Sequence, residues 1–414
     1  MKFKLLGLTA YFVAILVSSL ITTSLFLNPV AATSGYTVAY NPYAGVDWNN
    51  AFQLKTQLHC HTKESDGGNY PYTVINQYAG YGYDALAISD HNRLTWPWSK
   101  WARYINPASW NMIALPNDEV SMNTVHFIAP FLTSTVNMRR YKTDVQGALN
   151  AAIAAGGIPI ISHPWMMGFS LTTADSWTGF QGIEIFNPTE GGIQPFNFQL
   201  WDHLLTDPNR AQHVWGFAVD DSHDTGDKNQ GWIIVYASQK DAANMKQSII
   251  TGSFIAVVNS SAHINSITQA GNKLVIDTDS PVVWKADGQK IVGTTGTLDL
   301  DTLGPGYTYV RAEINEGHIF TQPIFIAQAG LQHTLPGDVT GPLGVSDGRV
   351  DIRDLSAIAK LYGVSYPDPR YDIRCDLTGP IPGVPDGKID INDLAVVAQN
   401  FGETNSPTTT DYGR

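Results

Sequence analysis

The stretch "DVQGALNAAIAAGGIPIISHP", Asp144 to Pro164, decides the fold class. Asp144 is a helix-capping type, and apolar residues recur behind it with helical periodicity. Gly156-Gly157 stops the helix, and "IPIIS" follows as a short apolar strand. The strand ends on His163, a residue type with metal-binding chemistry. The same unit recurs outward from here. "YDALAIS" is an apolar strand reached from a helical stretch ending in "AGYG", and "GIEIF" and "VWGFAV" are further buried strands. Strands alternating with helices imply a parallel α/β sheet, and several such units in a row predict a closed barrel over residues 33–258.

The segments flanking the barrel read differently. Lys2 and Lys4 precede an apolar run, Leu5 to Leu27, and "PVAAT" offers a small-residue cleavage pair at Val30 and Ala32. Residues 1–32 are therefore expected to be an export signal, or a retained membrane anchor given the length of the run. Both place the rest of the chain outside the cytoplasm, extracellular or at the cell surface. Residues 259–330 carry β-rich segments such as "KLVIDTD", "TYVRAEIN" and "FTQPIFIA", which predict a small antiparallel, sandwich-like β-domain. A linker, 331–336, leads to an internal repeat over 337–402, and 403–414 reads as a loose polar tail.

Net charge is −12, which excludes a nonspecific duplex-binding surface and leaves no stable nucleic-acid partner expected. The two cysteines, Cys60 and Cys375, lie too far apart in the chain for a disulfide framework or a cysteine zinc ribbon.

Residues at the strand ends carry the chemistry. His59, His61 and Asp66 come after "FQLKTQ"; Asp90 and His91 after "ALAIS"; Glu119 after "MIALP"; "VHFIA" carries His126; His163 comes after "IPIIS"; and Asp220, Asp221 and His223 after "GFAV". Six of the 11 histidines fall at these strand ends. In a parallel barrel those ends gather on one face, where barrel enzymes carry their chemistry. On a strand, His59 and His61 share a face and Cys60 points away. Imidazole and carboxylate together suit zinc, manganese or iron.

"HCHTKESDG", "SDHN", "SHP", "GIEIFN" and "DSH" resemble the polymerase and histidinol phosphatase family of metallohydrolases. "LHCHT…SDGG" and "FTQPIFI" resemble its carbaryl-hydrolase-like branch, over residues 50–328. The resemblance implies a distorted seven-stranded β/α barrel, similar to a TIM barrel, holding two or three divalent metals. It assigns His59, His61, Glu119 and Asp221 to one metal, with Glu119 bridging to a second held with His126 and His163. Asp66, His91 and His223 match a third. A metal-bound hydroxide would attack phosphorus or an acyl carbon, and His223 or water would protonate the leaving group. Asp90 is expected to orient His91; Asp220 and Glu184 are expected behind the ligands. Arg93 is the leading anion-binding residue, with Lys63, Arg139 and Arg140 as further options. Trp96, Trp98, Trp101 and Trp110 are read as an aromatic wall or as a lid on the barrel. The implied reaction is hydrolysis of a small phosphoester; a carbamate, ester or amide is the alternative, and a non-catalytic scaffold a third.

The repeat, "DIRDLSAIAKLYG" from Asp351 and "DINDLAVVAQNFG" from Asp390, writes one amphipathic helix twice. With insertions skipped, Asp338, Thr340, Asp347, Arg349, Asp351 and Asp354 fill one calcium loop. Asp376, Thr378, Asp386, Lys388, Asp390 and Asp393 fill the second. The pattern resembles a dockerin, a small all-α module, which implies two calcium ions. Ile352-Arg353 and Ile391-Asn392 then stand where a cohesin-like partner is read; a calcium-stabilised spacer is the alternative.

Overall fold

The computed structural model describes residues 35–207, 213–304, 306–328, 337–340, 349–365, 368, 370–372, 375–378 and 387–403. The expected signal or anchor segment, the linker, Asp347 and Asp386 lie outside the described residues. So does the tail beyond Glu403. No described helix is long and apolar enough to cross a membrane.

The strands run in chain order as β1 (Tyr36–Tyr40), β2 (Phe52–Gln57), β3 (Ala85–Ile88), β4 (Ile113–Pro116), β5 (Glu119–Ser121), β6 (His126–Ile128), β7 (Ile160–Ser162), β8 (Gly182–Asn187), β9 (Gly192–Ile193), β10 (Trp215–Ala218), β11 (Gly231–Ala237) and β12 (Phe254–Val258). After them come β13 (Ser266–Ala270), β14 (Lys273–Asp277), β15 (Val282–Ala286), β16 (Lys290–Gly293), β17 (Thr297–Asp299), β18 (Tyr309–Ile314), β19 (Ile319–Thr321) and β20 (Ile324–Gln328).

The α/β alternation is present. Helix Pro71–Gly80 joins β2 to β3, and helix Val145–Ala154 leads into β7. Asp144 caps the latter by accepting from the Gly147 N–H at 2.8 Å. β2, β3 and β4 pair in parallel, as do β7, β8 and β10. The two arcs do not close into one hydrogen-bonded barrel: β2–β4 belong to an 11-stranded sheet and β5–β10 to a six-stranded one. The cause lies between β4 and β7. β5 and β6 are joined by a short turn and pair antiparallel, and β6 pairs antiparallel with β7. A parallel crossover needs a dozen or more residues, and the turn 122–125 between β5 and β6 is too short for one. Isolated bridges stitch the arcs at the end where the histidines lie, Cys60 to Ser222 and His91 to Glu119.

The region after 258 is antiparallel, as expected, but its strands are shared. β13, β14 and β17 form a separate three-stranded sheet. β18, β19 and β20 continue the large sheet through the β12–β19 ladder, and β1 closes onto β20. The tryptophan run divides between core and surface. Trp98 is buried, and Trp96 and Trp101 pack on the same apolar cluster as Val74, Ile75 and Tyr78 of helix Pro71–Gly80; Trp110 is exposed. Each large apolar side chain so buried contributes about 1.5–3 kcal/mol.

At the C-terminus, helices Ile352–Lys360 and Ile391–Asn400 each open with a capping box, Asp351 with Asp354 and Asp390 with Asp393. Val350, Ile358, Ile389 and Val397 form their shared core.

Candidate metal centre

The HxH segment is laid against the strand end that carries Asp221. Asp221 N–H donates to the His59 carbonyl at 2.9 Å, and His61 N–H to the Ser222 carbonyl at 2.8 Å. This ladder turns His59 and His61 to one face, toward Asp221. Gly67 is required beneath them, since a Cβ there would stand 2.7 Å from the His61 backbone. Two of the converging residues sit in left-handed backbone, His163 at φ 31° and Asp221 at φ 46°. Such conformations cost about 1–3 kcal/mol in a non-glycine residue and concentrate at functional sites.

The nine predicted donors converge. His59, His61 and Glu119 are fully buried, and Asp221 and His163 nearly so. Four groups of them bring their ligand atoms within 4.8 Å of one another: His59, His61 and Glu119; His59, His163 and Asp221; His91, Glu119 and His126; and His61, Asp66, His91 and His223. Membership differs from the expectation in three ways. His61 joins the outer group, His91 joins the one around Glu119 and His126, and His163 groups with His59 and Asp221 as well as approaching Glu119.

The distances test whether a cation fits. His59 Nε2 and His61 Nε2 are 3.1 Å apart, and each is 3.1 Å from Asp221 Oδ1. They lie 3.4 and 3.3 Å from Glu119 Oε2. A cation with ligand bonds of about 2.0 Å has tetrahedral edges of about 3.3 Å. Glu119 Oε2 is buried without a hydrogen-bond partner among the described residues, although His91 Nδ1 stands only 2.9 Å away. The other oxygen, Oε1, faces His126 Nδ1 at 3.1 Å and His163 Nε2 at 3.0 Å. One carboxylate thus presents each oxygen to a different set of rings, as a bridging ligand must. The donor set fits metal ions.

Electrostatics agree. Burial opposes protonation of His59, yet Asp221, Glu184 and Glu119 together hold its pKa well above the ordinary imidazole value. Burial likewise opposes protonation of His61, but Asp221, hydrogen-bonded to its ring, and the adjacent Glu119 carboxylate bring it to about 9. Against the same burial, the surrounding rings hold the Glu119 and Asp221 carboxyls far below their usual range. The cluster favours positive charge, whether proton or metal.

Supporting groups fix the rings. His59 Nδ1 lies 2.6 Å from Glu184 Oε1, which leaves Nε2 as the free ligand atom. Glu184 Oε2 accepts from His163 N–H and from Asn187 Nδ2, both at 2.8 Å, so one buried carboxylate holds ligands of two groups. Asp221 Oδ2 accepts from Asn187 Nδ2 at 3.1 Å and Thr189 Oγ1 at 2.8 Å. His223 Nδ1 lies 2.9 Å from the Asp221 carbonyl, which directs Nε2 toward Asp66 at 3.5 Å. Asp66 is the exposed edge of the cluster, with half its side chain open to solvent. Glu184→Gln is expected to weaken metal affinity about 10–100-fold while the chain stays folded; competition against a fluorescent chelator reads this.

Three expectations change. Asp90 does not orient His91: its carboxylate takes hydrogen bonds from Thr62, Ser65 and Thr95, and so braces the loop after the HxH. His91 Nδ1 faces Ser121 Oγ instead. Asp220 faces away from the cluster and accepts from Tyr78, Asn229, Gln230 and Gly231. Arg93 is half exposed and pairs with Glu64, which neutralises it. Of the other cations, Lys63 lies over the Tyr70 ring and Arg140 over Tyr141. Asn187, the last residue of "GIEIFN", is expected near the site but not as a ligand, whereas Thr189 and Ser121 have no signal in the sequence beyond proximity to that motif and to Glu119.

Glu190 holds the turn after His163. Its buried carboxylate accepts from Met166 N–H at 2.9 Å and Asn197 Nδ2 at 2.6 Å, while Asn197 Oδ1 takes Trp165 N–H. Burial raises its carboxyl from 4.5 to about 7. The fold therefore holds an extra proton between those values, and stability falls as pH rises across that window. Glu190→Gln should remove the dependence. Relative to the parent it should gain on the order of 3 kcal/mol between pH 5 and pH 8 in urea melts.

In the C-terminal repeat both candidate closing ligands are engaged. Asp354 Oδ1 accepts from Val339 N–H, Thr340 N–H and Thr340 Oγ1, and Oδ2 from Asp351 N–H. Asp393 makes the same bonds to Leu377, Thr378 and Asp390. Asp376 Oδ2 accepts from Tyr371 and Gly387. Among the described residues no three carboxylates converge there.

No family model and no curated protein matches the chain. Among solved structures it is similar to a two-domain protein from Bacteroides vulgatus containing a predicted PHP-like metal-dependent phosphoesterase, at 15% identity, 70% of this chain, 91% of that one and a TM-score of 0.39. It is similar to an amidohydrolase from Chromobacterium violaceum with bound sulfate and no metal, at 16% identity, 41% and 88% coverage and 0.31. A lesion-specific endonuclease from Pyrococcus furiosus matches at 12% identity, 49% and 57% coverage and 0.33. All three likenesses are distant, and the chemistry is read from the site itself.

Proposed function

We propose that this chain is an exported, metal-dependent hydrolase of the polymerase and histidinol phosphatase type, acting on small phosphoesters. The observation that supports it is the pairing of two cation-sized donor sets across Glu119, with a third around Asp66. Cations held there would supply Lewis acidity and an acidified water. Around them, Glu184 fixes the His59 ring and the His163 backbone, Asn187 and Thr189 hold Asp221, and the open edge beside Asp66 and His223 would admit a water to hand a proton to a leaving group. A carbamate, ester or amide substrate is the second reading. The pairing of Arg93 with Glu64 favours it, because a phosphate dianion would find that guanidinium already engaged.

Protein reconstituted with manganese or zinc should hydrolyse one class in a panel of phosphomonoesters, phosphodiesters and carbamates. Two or three transition-metal ions per chain are expected. Inactivity of fully metallated protein on the whole panel would overturn the enzymatic reading in favour of a scaffold.

Calcium loading of the C-terminal repeat and docking of a cohesin-like partner are further parts of the proposal. The supports are the duplicated loop pattern and the exposure of Ile352 and Ile391. A calcium-dependent rise in Tm, lost in Asp338→Ala with Asp376→Ala, tests the first.

A further inference from the structure

A second site lies on the outer face of the large sheet, away from the metal ligands. β2, β11 and β12 are adjacent, with Ile234 opposite both Lys55 and Ile255 and Trp232 opposite Val257. Their alternate residues share one face. Chain from Asn259 to Ile264 crosses that face as a strap and leaves a cleft of about 560 Å³. That volume lies in the range of small-molecule sites, about 300–1,000 Å³. The strap is fixed at several points. Asn259 N–H donates to the Gln230 carbonyl at 2.8 Å, Ser260 Oγ accepts from Asn315 Nδ2 at 3.1 Å, and the His263 carbonyl accepts from Thr278 at 2.7 Å. Ile264 is buried.

The lining restricts the ligand. The floor is apolar: Trp232, Ile234, Ile255 and Val257. The rim presents Gln53, Asn259, Ser261 and His263, whose side chains have no hydrogen-bond partner among the described residues. No carboxylate lines the cleft, and its one cation is engaged: Lys55 Nζ donates to Asn229 Oδ1 at 2.6 Å and lies 4.2 and 4.3 Å from the Tyr83 and Trp232 rings. A cationic ligand finds no carboxylate, and an anionic one would have to draw Lys55 away from Asn229 and Tyr81. An extended peptide finds no open edge, since all three strands are paired on both sides. What fits is a neutral molecule with an apolar face and a ring of hydroxyls. We propose that the cleft binds a short neutral oligosaccharide, its ring faces on the apolar floor and its hydroxyls on the amides, hydroxyl and imidazole of the rim.

Saturation-transfer NMR on the full chain with maltotriose, cellotriose and chitotriose, each to about 20 mM, tests this. Saturable millimolar binding of at least one is expected. Ile234→Arg, which fills the floor, should weaken it about tenfold or more, and Asn259→Gly, which keeps the positive φ of 45° while removing one rim amide, about threefold. Metal-dependent hydrolysis should be unchanged in both variants. The assignment is overturned if none of the three sugars binds. Binding with undiminished affinity in both variants overturns it equally, and Asn259→Gly keeps the test decisive should Ile234→Arg fail to fold.

Discussion

Glu119→Gln should lower turnover by about three orders of magnitude or more, and bound metal should fall with it. The reason is that Glu119 presents Oε2 to His59, His61 and His91 and Oε1 to His126 and His163. An amide keeps the volume but loses the charge, and its nitrogen offers hydrogens where a cation needs lone pairs. One donor set would lose its ligand, and the other would keep only a neutral amide oxygen. Metal analysis of the purified variant, with kcat on the best substrate of the panel, checks the result. Retention of full metal content and activity would contradict the bridging assignment. His59→Ala should act in the same direction, because that ring belongs to two of the donor groups.

Asp220→Ala should instead unfold the protein more readily, by about 3 kcal/mol or more, even with metal removed. Asp220 is fully buried, and four donors depend on it: Tyr78 Oη at 2.9 Å, Asn229 N–H and Gln230 N–H at 2.8 Å, and Gly231 N–H at 2.9 Å. Burial raises its carboxyl, and the backbone hydrogen bonds pull the other way. Removing it strands three main-chain donors in the interior, where each unmade bond is costly. Urea melts of metal-free protein separate this effect from any loss of ligation by the neighbouring Asp221. Parent-like stability would mean that water or a local shift satisfies the loop.

Adjacent residues thus do opposite work. Asp220 and Asp221 are chemically identical and consecutive, and only the family resemblance set Asp221 apart as the expected ligand. The sequence held no sign that Asp220 is tied to the loop 229–231. That fact depends on a turn bringing Asn229 back over residue 220. Asp90 teaches the same lesson: its place before His91 suggested one partner, and packing gave it Thr62, Ser65 and Thr95. Arg93 stands out in the sequence for its charge next to "SDHN", and only the folded loop puts Glu64 beside it.

The sequence by itself determined the α/β class, the antiparallel character of the region after 258 and the duplicated C-terminal helix, and it singled out nine candidate donors. These are local properties: periodicity, caps, turn residues and ligand-competent types placed where strands end. Tertiary structure alone decided that the strands form two stitched arcs, that β1 and β18–β20 extend the large sheet, which donors lie beside one another, and which carboxylates merely brace loops. Those outcomes depend on contacts between residues far apart in the chain, whose distances and orientations no local pattern encodes.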